Sequence, residues 1–147
     1  MEDLAAALKV SLANTFVMYF RSHSYHWNVE GHNFSQYHSF LDGLYNELWE
    51  AVDPIAEHIR TLDIYAPFSL NDLYSAKTID EDGLRVDDPH TMFIQLLASN
   101  LEVIASLNKA YELANYHKKN GLSNFLQDRI DVHEKHGWML RSFIKGQ

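Results

Sequence analysis

The chain contains no cysteine, so disulfide bonds and thiolate metal sites are both excluded. Its apolar runs fall short of the roughly 18 residues that a membrane span needs, and the opening MEDLAAALKV does not fit a secretory signal. We therefore expect a soluble, cytoplasmic protein with no membrane partner. Basic blocks are missing as well, and the formal net charge is −8. Because Lys and Arg contacts to phosphate supply most nucleic-acid affinity, we do not expect DNA to be a direct partner.

Strand-like alternation is also absent, and four long stretches show helical periodicity instead. A chain of 147 residues fits a single domain that spans the whole sequence. The first helix is predicted from Glu2 to Val29, with Gly31 as its stop. Asn33 and Gln36 fit a capping box that opens the second helix. That helix carries an apolar stripe of near-heptad period from Phe34 to Leu62.

The second half of the chain begins with a long connection, predicted over residues 63–87, in which Ser69 starts one short helix. Asp88, followed by a proline, is a strong start signal for the third long helix. Asn120-Gly121 is its predicted stop, and the fourth helix is predicted over Leu122–Ile144. Two helical hairpins joined by a long crossover that carries a short helix form the connectivity of a ferritin-like four-helix bundle. The predicted fold class is therefore all-α.

Pro54 conflicts with the second helix, because a proline in a helix interior removes a backbone hydrogen bond and favours a kink. The apolar stripe nevertheless resumes in register at Ile55. We therefore predict a continuous helix through Pro54, with a break there as the alternative.

Candidate metal ligands lie across the first two helices, at His26, His38, Asp42, Asp53 and Glu57. On an ideal helix the last four share a sector of about 100°. Asp42 and Asp53 are nevertheless about 16 Å apart along the axis, so one ion cannot be held by both pairs of the same chain. If an identical helix runs antiparallel across a two-fold axis, the His38/Asp42 pair of one chain faces the Asp53/Glu57 pair of the other, twice over. The spacing favours a metal site between subunits.

Two other interpretations of this face compete with the intersubunit site. The first is an ordinary solvated polar face, but Tyr45 and Trp49 lie on it between the two ligand pairs, and large aromatic residues favour an interface. The second is a di-iron site inside the bundle, which needs Glu-x-x-His motifs that this sequence does not contain. Mixed imidazole and carboxylate ligands suit Fe(II), and zinc has the same donor preferences.

The chain resembles the Dps family, the mini-ferritins named for DNA protection during starvation. The resemblance rests on His26-Trp27-Asn28, Gly31-His32-Asn33-Phe34, His38-x-x-x-Asp42, Asp53-x-x-x-Glu57 and His136-Gly137-Trp138-Met139. Together with the four-helix pattern and the short helix in the crossover, it covers essentially the full chain.

This resemblance implies a hollow homo-oligomeric shell, a dodecamer, with ferroxidase sites at its two-fold interfaces. His26, His38 and Asp42 would come from one subunit, and Asp53 and Glu57 from its neighbour. The family oxidises Fe(II), characteristically with hydrogen peroxide, and stores ferric mineral in the cavity. Oxygen is the other candidate oxidant, and zinc is a possible substitute for iron. The alternative function is a non-catalytic structural or DNA-shielding shell that keeps these ligands for assembly.

Two residues beside the ligands each have two candidate roles. Trp27 resembles a family tryptophan thought to intercept stray oxidising equivalents, and packing alone is an equal alternative. His23 lies one helical turn before His26, where it either supports the ligands or only packs.

The sequence departs from the family pattern in its charges. The Lys/Arg-rich tail of DNA-binding members is absent from the opening residues, and the other end offers only Arg141 and Lys145. The turn over residues 115–127, where the family's acidic iron pore is expected, contains no acidic residue.

His133 and His136 lie one turn apart, and we predict polar surface there, with an accessory metal site as the alternative.

Overall fold

The computed structural model of the protein describes residues 1–81 and 85–145. Five helices are formed within these residues, and no strand: α1 (Glu2–Asn28), α2 (Phe34–Thr61), α3 (Leu70–Ser75), α4 (Pro89–Tyr116) and α5 (Asn120–Lys145). The element order confirms the predicted all-α class and the two hairpins joined by a crossover with a short helix. Residues 82–84 of the predicted 63–87 connection lie outside the described residues.

The bundle is built around α1, which packs against both α2 and α4, while α4 packs against α5. The largest fully buried side chains come from all four long helices and include Leu8, Leu48, Phe93 and Leu126. Burying apolar area of this kind is the main favourable term in folding. Within the described residues, no helix combines the length and the apolar character needed to cross a bilayer.

The crossover is fixed by the capping signals in the sequence and by one buried amide. Ser69 accepts a hydrogen bond from the Asp72 amide at 3.1 Å, and Asp88 accepts one from the Thr91 amide at 2.8 Å. Both helix starts are confirmed. The side chain of Asn14, buried in α1, accepts hydrogen bonds from the amides of Thr78 and Ile79 at 2.8 and 3.3 Å. These bonds attach the segment that follows α3 to the bundle.

One predicted capping interaction does not form, and one predicted helix boundary is wrong. Helix α2 begins at Phe34 with Asn33 as its N-cap residue, as predicted, but the Asn33 side chain makes no capping hydrogen bond and its Nδ2 lies 3.5 Å from Tyr37 Oη. The third long helix ends at Tyr116 rather than at Asn120-Gly121, because Lys118 takes up a left-handed φ of 58° and turns the chain. Asn120 is already the first residue of α5, and Gly121 lies inside that helix.

Helix α2 is continuous through Pro54, as predicted, and it separates two faces. Leu41, Leu44, Leu48, Ile55 and other members of its apolar stripe are buried against the bundle. Phe34 is the exception in that stripe, because it is 43 % exposed and stacks on His38 instead. The opposite face carries the exposed carboxylates, with Trp49 53 % exposed between them.

Candidate metal centre

His26 and His38 form a reciprocal pair where α1 ends and α2 begins. The Nδ1 of His26 lies 2.9 Å from the carbonyl oxygen of His38, and the Nδ1 of His38 lies 2.8 Å from the carbonyl oxygen of His26. Because a carbonyl oxygen can only accept, each Nδ1 carries the hydrogen and donates it. The two rings stack at a centroid distance of 3.7 Å. In the neutral rings, the lone pair of each Nε2 is therefore left for a metal ion, the arrangement typical of ligating histidines.

The carboxylates occupy two positions along the exposed face of α2. Asp42 lies one turn after His38, and Asn46 Nδ2 donates to its backbone carbonyl at 2.9 Å. Asp53 and Glu57 lie one turn apart and are both exposed. A hydrogen bond with Asp53 and the charge of that carboxylate raise the pKa of Glu57. Two carboxyl groups that interact in this way are a favourable location for a cation, which relieves their repulsion.

An aromatic cluster connects these ligands to the rest of the exposed face. His23 stacks on Tyr45 at 3.8 Å with the ring planes 6° apart, and Tyr45 lies 5.1 Å from His26. Tyr19 Oη lies 2.9 Å from Nδ1 of His23. Burial lowers the pKa of His23, and the neighbouring His26 adds to this effect. Trp27, 57 % exposed, packs on His23 at 4.3 Å.

One chain brings some of the predicted ligands together and leaves others apart. His26 and His38 are in contact, and Asp53 interacts with Glu57. Along α2, however, Asp42 and Asp53 are separated by about 16 Å of helix rise. Within the described residues of a single chain, no three His, Asp or Glu side chains are grouped closely enough to hold an ion. The two predicted ligand pairs therefore lie apart on one chain.

Comparisons with known proteins place this chain among ferritin-like proteins. The model of the ferritin-like domain family matches residues 5–146. An uncharacterized low temperature-induced protein of Nostoc is 30 % identical over 141 residues, which cover 95 % of this chain and 79 % of that protein. A DNA protection during starvation protein of Brevibacillus brevis is 26 % identical over 97 % of this chain and 95 % of its own.

A solved structure agrees with these sequence relatives. The Dps protein of Vibrio cholerae superposes with a TM-score of 0.91 at 29 % identity, covering 97 % of this chain and 89 % of that one. The chain belongs to the Dps family of ferritin-like proteins. The Vibrio cholerae protein is described as a member of a superfamily of ferritin-like diiron-carboxylate proteins. Iron binding, and with it iron storage or ferroxidase activity, is therefore supported for this Dps chain at the level of its family.

The interior of this Dps bundle contains a charged network that the sequence interpretation missed. His133 and His136 are 0 % and 6 % exposed, so the prediction of polar surface is wrong. His136 Nε2 lies 2.7 Å from Glu47 of α2, and Arg129 makes a two-pronged contact with the same carboxylate. Arg129 also donates to Nε2 of His133 at 2.9 Å, while Nδ1 of that ring faces Asn100 Oδ1 at 2.8 Å. These contacts occupy both ring nitrogens of His133 and Nε2 of His136, while Nδ1 of His136 is buried without a hydrogen-bond partner.

The charges within this network are fixed by contact and burial. Burial would raise the pKa of Glu47, but hydrogen bonds from His136 and Arg129 outweigh it and hold the pKa at about 2. Burial, reinforced by the charge of Arg129, holds the pKa of His133 well below its usual range, so that ring is neutral. The signal available in the sequence was the spacing Arg129, His133, His136, which follows a single helix face.

Proposed function

We propose that this chain is a ferroxidase and iron-storage subunit that oxidises Fe(II) at sites shared by two copies of the chain. In each site His26, His38 and Asp42 of one copy face Asp53 and Glu57 of the other. Fe(II) is the substrate, hydrogen peroxide is the oxidant, and the ferric product is stored inside a homo-oligomeric shell. By family resemblance the shell is a dodecamer.

The histidine pair is the observation that carries this proposal. Both Nδ1 atoms donate to backbone carbonyls, at 2.9 and 2.8 Å, so both Nε2 atoms are available to Fe(II) in a fixed ring orientation. An ordinary solvated polar face gives no reason for two stacked histidines to fix each other's tautomer. Asp42, one turn further along α2, would complete this half of the site with an anionic ligand.

The half-site formed by Asp53 and Glu57 also supports a site shared with a second copy of the chain. Asp53 and Glu57 are exposed, they interact with each other, and the pKa of Glu57 is raised. Trp49, midway between the half-sites, is 53 % exposed in the isolated chain. A large aromatic residue in this position suits the centre of a two-fold contact, where identical surfaces meet.

The proposed site performs a two-electron reduction of peroxide without releasing a radical. Two Fe(II) ions each give one electron, and one hydrogen peroxide takes both with two protons to form two water molecules. The carboxylates offset the charge that iron gains on oxidation, while the histidines supply neutral nitrogen. Trp27 is proposed to intercept oxidising equivalents that escape this reaction. Zinc, with the same donor preferences, is proposed to compete with Fe(II) for the site.

The test is peroxide-dependent Fe(II) oxidation by separate His38→Ala and Asp53→Ala variants. Each variant removes a ligand from a different half-site, so we expect each to lose stoichiometric Fe(II) oxidation and peroxide consumption. His32→Ala and Glu134→Ala are the matched controls, because these exposed residues lie outside the proposed site. Light scattering on every sample reports whether the oligomer is intact.

The outcomes separate the two candidate functions. Loss of oxidation in both site variants with the oligomer intact supports the ferroxidase. Oxidation at the parent rate in either variant contradicts the ligand assignment. A parent protein that assembles but neither oxidises Fe(II) nor consumes peroxide is a structural shell, and the proposed function is then wrong.

A further inference from the structure

A cavity of about 660 Å³ lies between α1 and the residues of the crossover that lead into α4. Its wall includes Arg21 and Tyr25 of α1, Val86 of the crossover and Met92 of α4. The volume falls in the range of roughly 300–1,000 Å³ that is typical of sites for small organic molecules. Among the described residues that line the cavity, none is a proposed iron ligand. The cavity is therefore a separate feature of the chain.

Arg21 is a buried cation in the wall of this cavity, and its hydrogen bonds within the described residues all go to neutral groups. The side chain is 5 % exposed. Its guanidinium donates to the backbone oxygens of Asp80 and Gln95, at 2.8 and 3.3 Å, and to the hydroxyl of Ser99. Its Nε is buried and has no hydrogen-bond partner in the described part of the chain. Because a buried charge is costly unless an anion is bound to it, this guanidinium favours an anionic ligand.

Tyr25 provides a second hydrogen-bond donor in the same wall. It lies one helical turn after Arg21 and is 4 % exposed. Its hydroxyl is buried, and no described residue forms a hydrogen bond with it. Buried polar groups are nearly always paired in folded proteins, so an unpaired hydroxyl in a cavity wall indicates a partner from outside the chain. A carboxylate has two oxygens that accept hydrogen bonds, one for Nε of Arg21 and one for this hydroxyl.

Apolar side chains complete the wall. Met92 is 1 % exposed, Val86 is half-buried, and Phe20 lies at the rim with 47 % of its surface exposed. These three side chains provide a surface for an apolar group, and burying such a group gives most of the affinity in a site of this type.

The charges at the rim limit how many negative groups a ligand can carry. Glu30, Arg85 and Asp87 line the rim and are exposed, so two carboxylates face one guanidinium there. Glu81 is half-buried in the wall and lies 3.0 Å from Nζ of Lys77. A second negative group on the ligand would meet these carboxylates and be repelled. One negative charge, bound at the buried end of the cavity, suits this distribution.

We propose that this cavity binds a small organic monocarboxylate with an apolar body, whose carboxylate accepts hydrogen bonds from Arg21 and Tyr25. The apolar body packs against Phe20, Val86 and Met92. This site goes beyond the proposed ferroxidase function and does not depend on it, because the cavity and the proposed iron site have no residue in common.

The experiment is isothermal titration calorimetry on the assembled protein, with 3-phenylpropionate as the probe. Two further probes each remove one property of this molecule: 3-phenylpropan-1-ol keeps the apolar body without the charge, and inorganic phosphate keeps negative charge without the apolar body. We expect saturable binding of 3-phenylpropionate, and binding of the other two that is weaker by about tenfold.

Variants of the two donors place the probe in the cavity. Tyr25→Phe keeps the ring and removes the hydroxyl, so 3-phenylpropionate should bind about fivefold more weakly. Arg21→Met removes the positive charge and should abolish binding. Since Arg21 also holds the crossover through Asp80, circular dichroism and light scattering report whether this variant is folded and assembled. Tyr111→Phe is the matched control with parent affinity, because Tyr111 Oη contacts Gln127 at 3.1 Å, outside the cavity wall.

Every outcome supports or contradicts the inference. Binding of 3-phenylpropionate that weakens in Tyr25→Phe but not in Tyr111→Phe supports it. A parent that does not bind 3-phenylpropionate, or that binds 3-phenylpropan-1-ol equally well, shows that the inference is wrong. Equal affinity in the parent and in Tyr25→Phe also contradicts it, because the probe is then bound elsewhere. If Arg21→Met does not fold, the comparison of Tyr25→Phe with Tyr111→Phe decides alone.

Discussion

At the residue scale, hydrogen bonds to backbone carbonyls fix the ring orientations of His26 and His38. Each Nδ1 donates to the carbonyl oxygen of the other histidine, across the junction between α1 and α2. The same two bonds hold the end of one helix against the start of the next. Ligand orientation and chain connection therefore depend on the same contacts, and a substitution at either histidine will affect both.

Glu47 offers a residue-scale prediction of stability. Its pKa is lowered from 4.5 to about 2, so its stabilising contribution is present above pH 4.5 and is lost as the pH falls toward 2. Glu47→Gln leaves the buried Arg129 without its anionic partner. We expect the free energy of unfolding to fall by about 2 kcal/mol at pH 7. Urea denaturation at fixed protein concentration, repeated from pH 7 to pH 3, measures this difference.

The control for this prediction is Glu50→Gln, an exposed glutamate on the next part of the same helix. It should unfold like the parent at every pH. The gap between Glu47→Gln and the parent should narrow below pH 4.5, because the unfolded parent then takes up a proton at Glu47 while the folded parent keeps this carboxylate ionised until the pH approaches 2. A Glu47→Gln variant that unfolds with the parent at pH 7 would show that the network adds nothing to stability.

The network around Glu47 shows that the burial of a polar residue cannot be predicted from the spacing of residues on its own helix. His133 and His136 were predicted to be polar surface, because a pair of polar residues one turn apart usually is. Their burial depends on Glu47 and Asn100, which belong to two other helices. Partners that are distant in sequence decide whether a polar residue can be buried. By contrast, the five proposed ligands have a spacing that lies within two consecutive helices, so a pattern in the sequence was enough to propose them.

At the element scale, the helix starts at Asn33, Ser69 and Asp88 were predictable, and the end of α4 was not. Ser69 and Asp88 cap their helices through hydrogen bonds to amides three residues away. Asn33 is the N-cap residue of α2, although its side chain makes no capping hydrogen bond. The end of α4 depends on Lys118 at positive φ, a conformation that its residue type does not suggest. A capping side chain is a local signal in the sequence, whereas this left-handed residue has none.

Asn14 provides the element-scale prediction. It joins the crossover to α1 by accepting from the amides of Thr78 and Ile79 and by donating to Thr78 Oγ1. Asn14→Ala leaves these amides without that acceptor, which costs about 1–3 kcal/mol for a buried group. We expect faster hydrogen exchange at Thr78 and Ile79, measured by mass spectrometry on peptides covering residues 76–81.

A matched variant separates this effect from a general loss of helix stability. Asn108 is exposed, and its side chain donates a hydrogen bond to the carbonyl of Ile104 in its own helix. Asn108→Ala removes this contact and is the control. Exchange at Thr78 and Ile79 should stay at the parent rate in this variant. Equal exchange in the parent and in Asn14→Ala would show that the crossover is held by other contacts.

At the scale of the whole molecule, the proposed metal site depends on a second chain. The stripe of Leu and Ile residues fixes which face of α2 enters the bundle, so the sequence was sufficient to put the carboxylates on the outer face. The helix rise then separates the two ligand pairs, and no folding of one chain can close a distance along a straight helix. What the sequence could not supply is the surface of the partner, because shape complementarity depends on all the exposed side chains together.

The proposed sharing of sites predicts complementation between two inactive variants. His38→Ala breaks the histidine half of the site and Asp53→Ala breaks the carboxylate half, so each variant alone has only defective sites. When the two chains are unfolded, mixed equally and refolded, half of the two-fold pairs should be mixed, and each mixed pair regains one complete site. About one quarter of the sites should then oxidise Fe(II).

Mixing His38→Ala with Asp42→Ala is the control, because both changes affect the same half of the site and no pairing of these chains restores it. Activity in the first mixture but not in the second, measured as peroxide-dependent Fe(II) oxidation per chain, is the expected result. Failure of the first mixture to recover, with oligomers of normal size, would contradict the two-fold site.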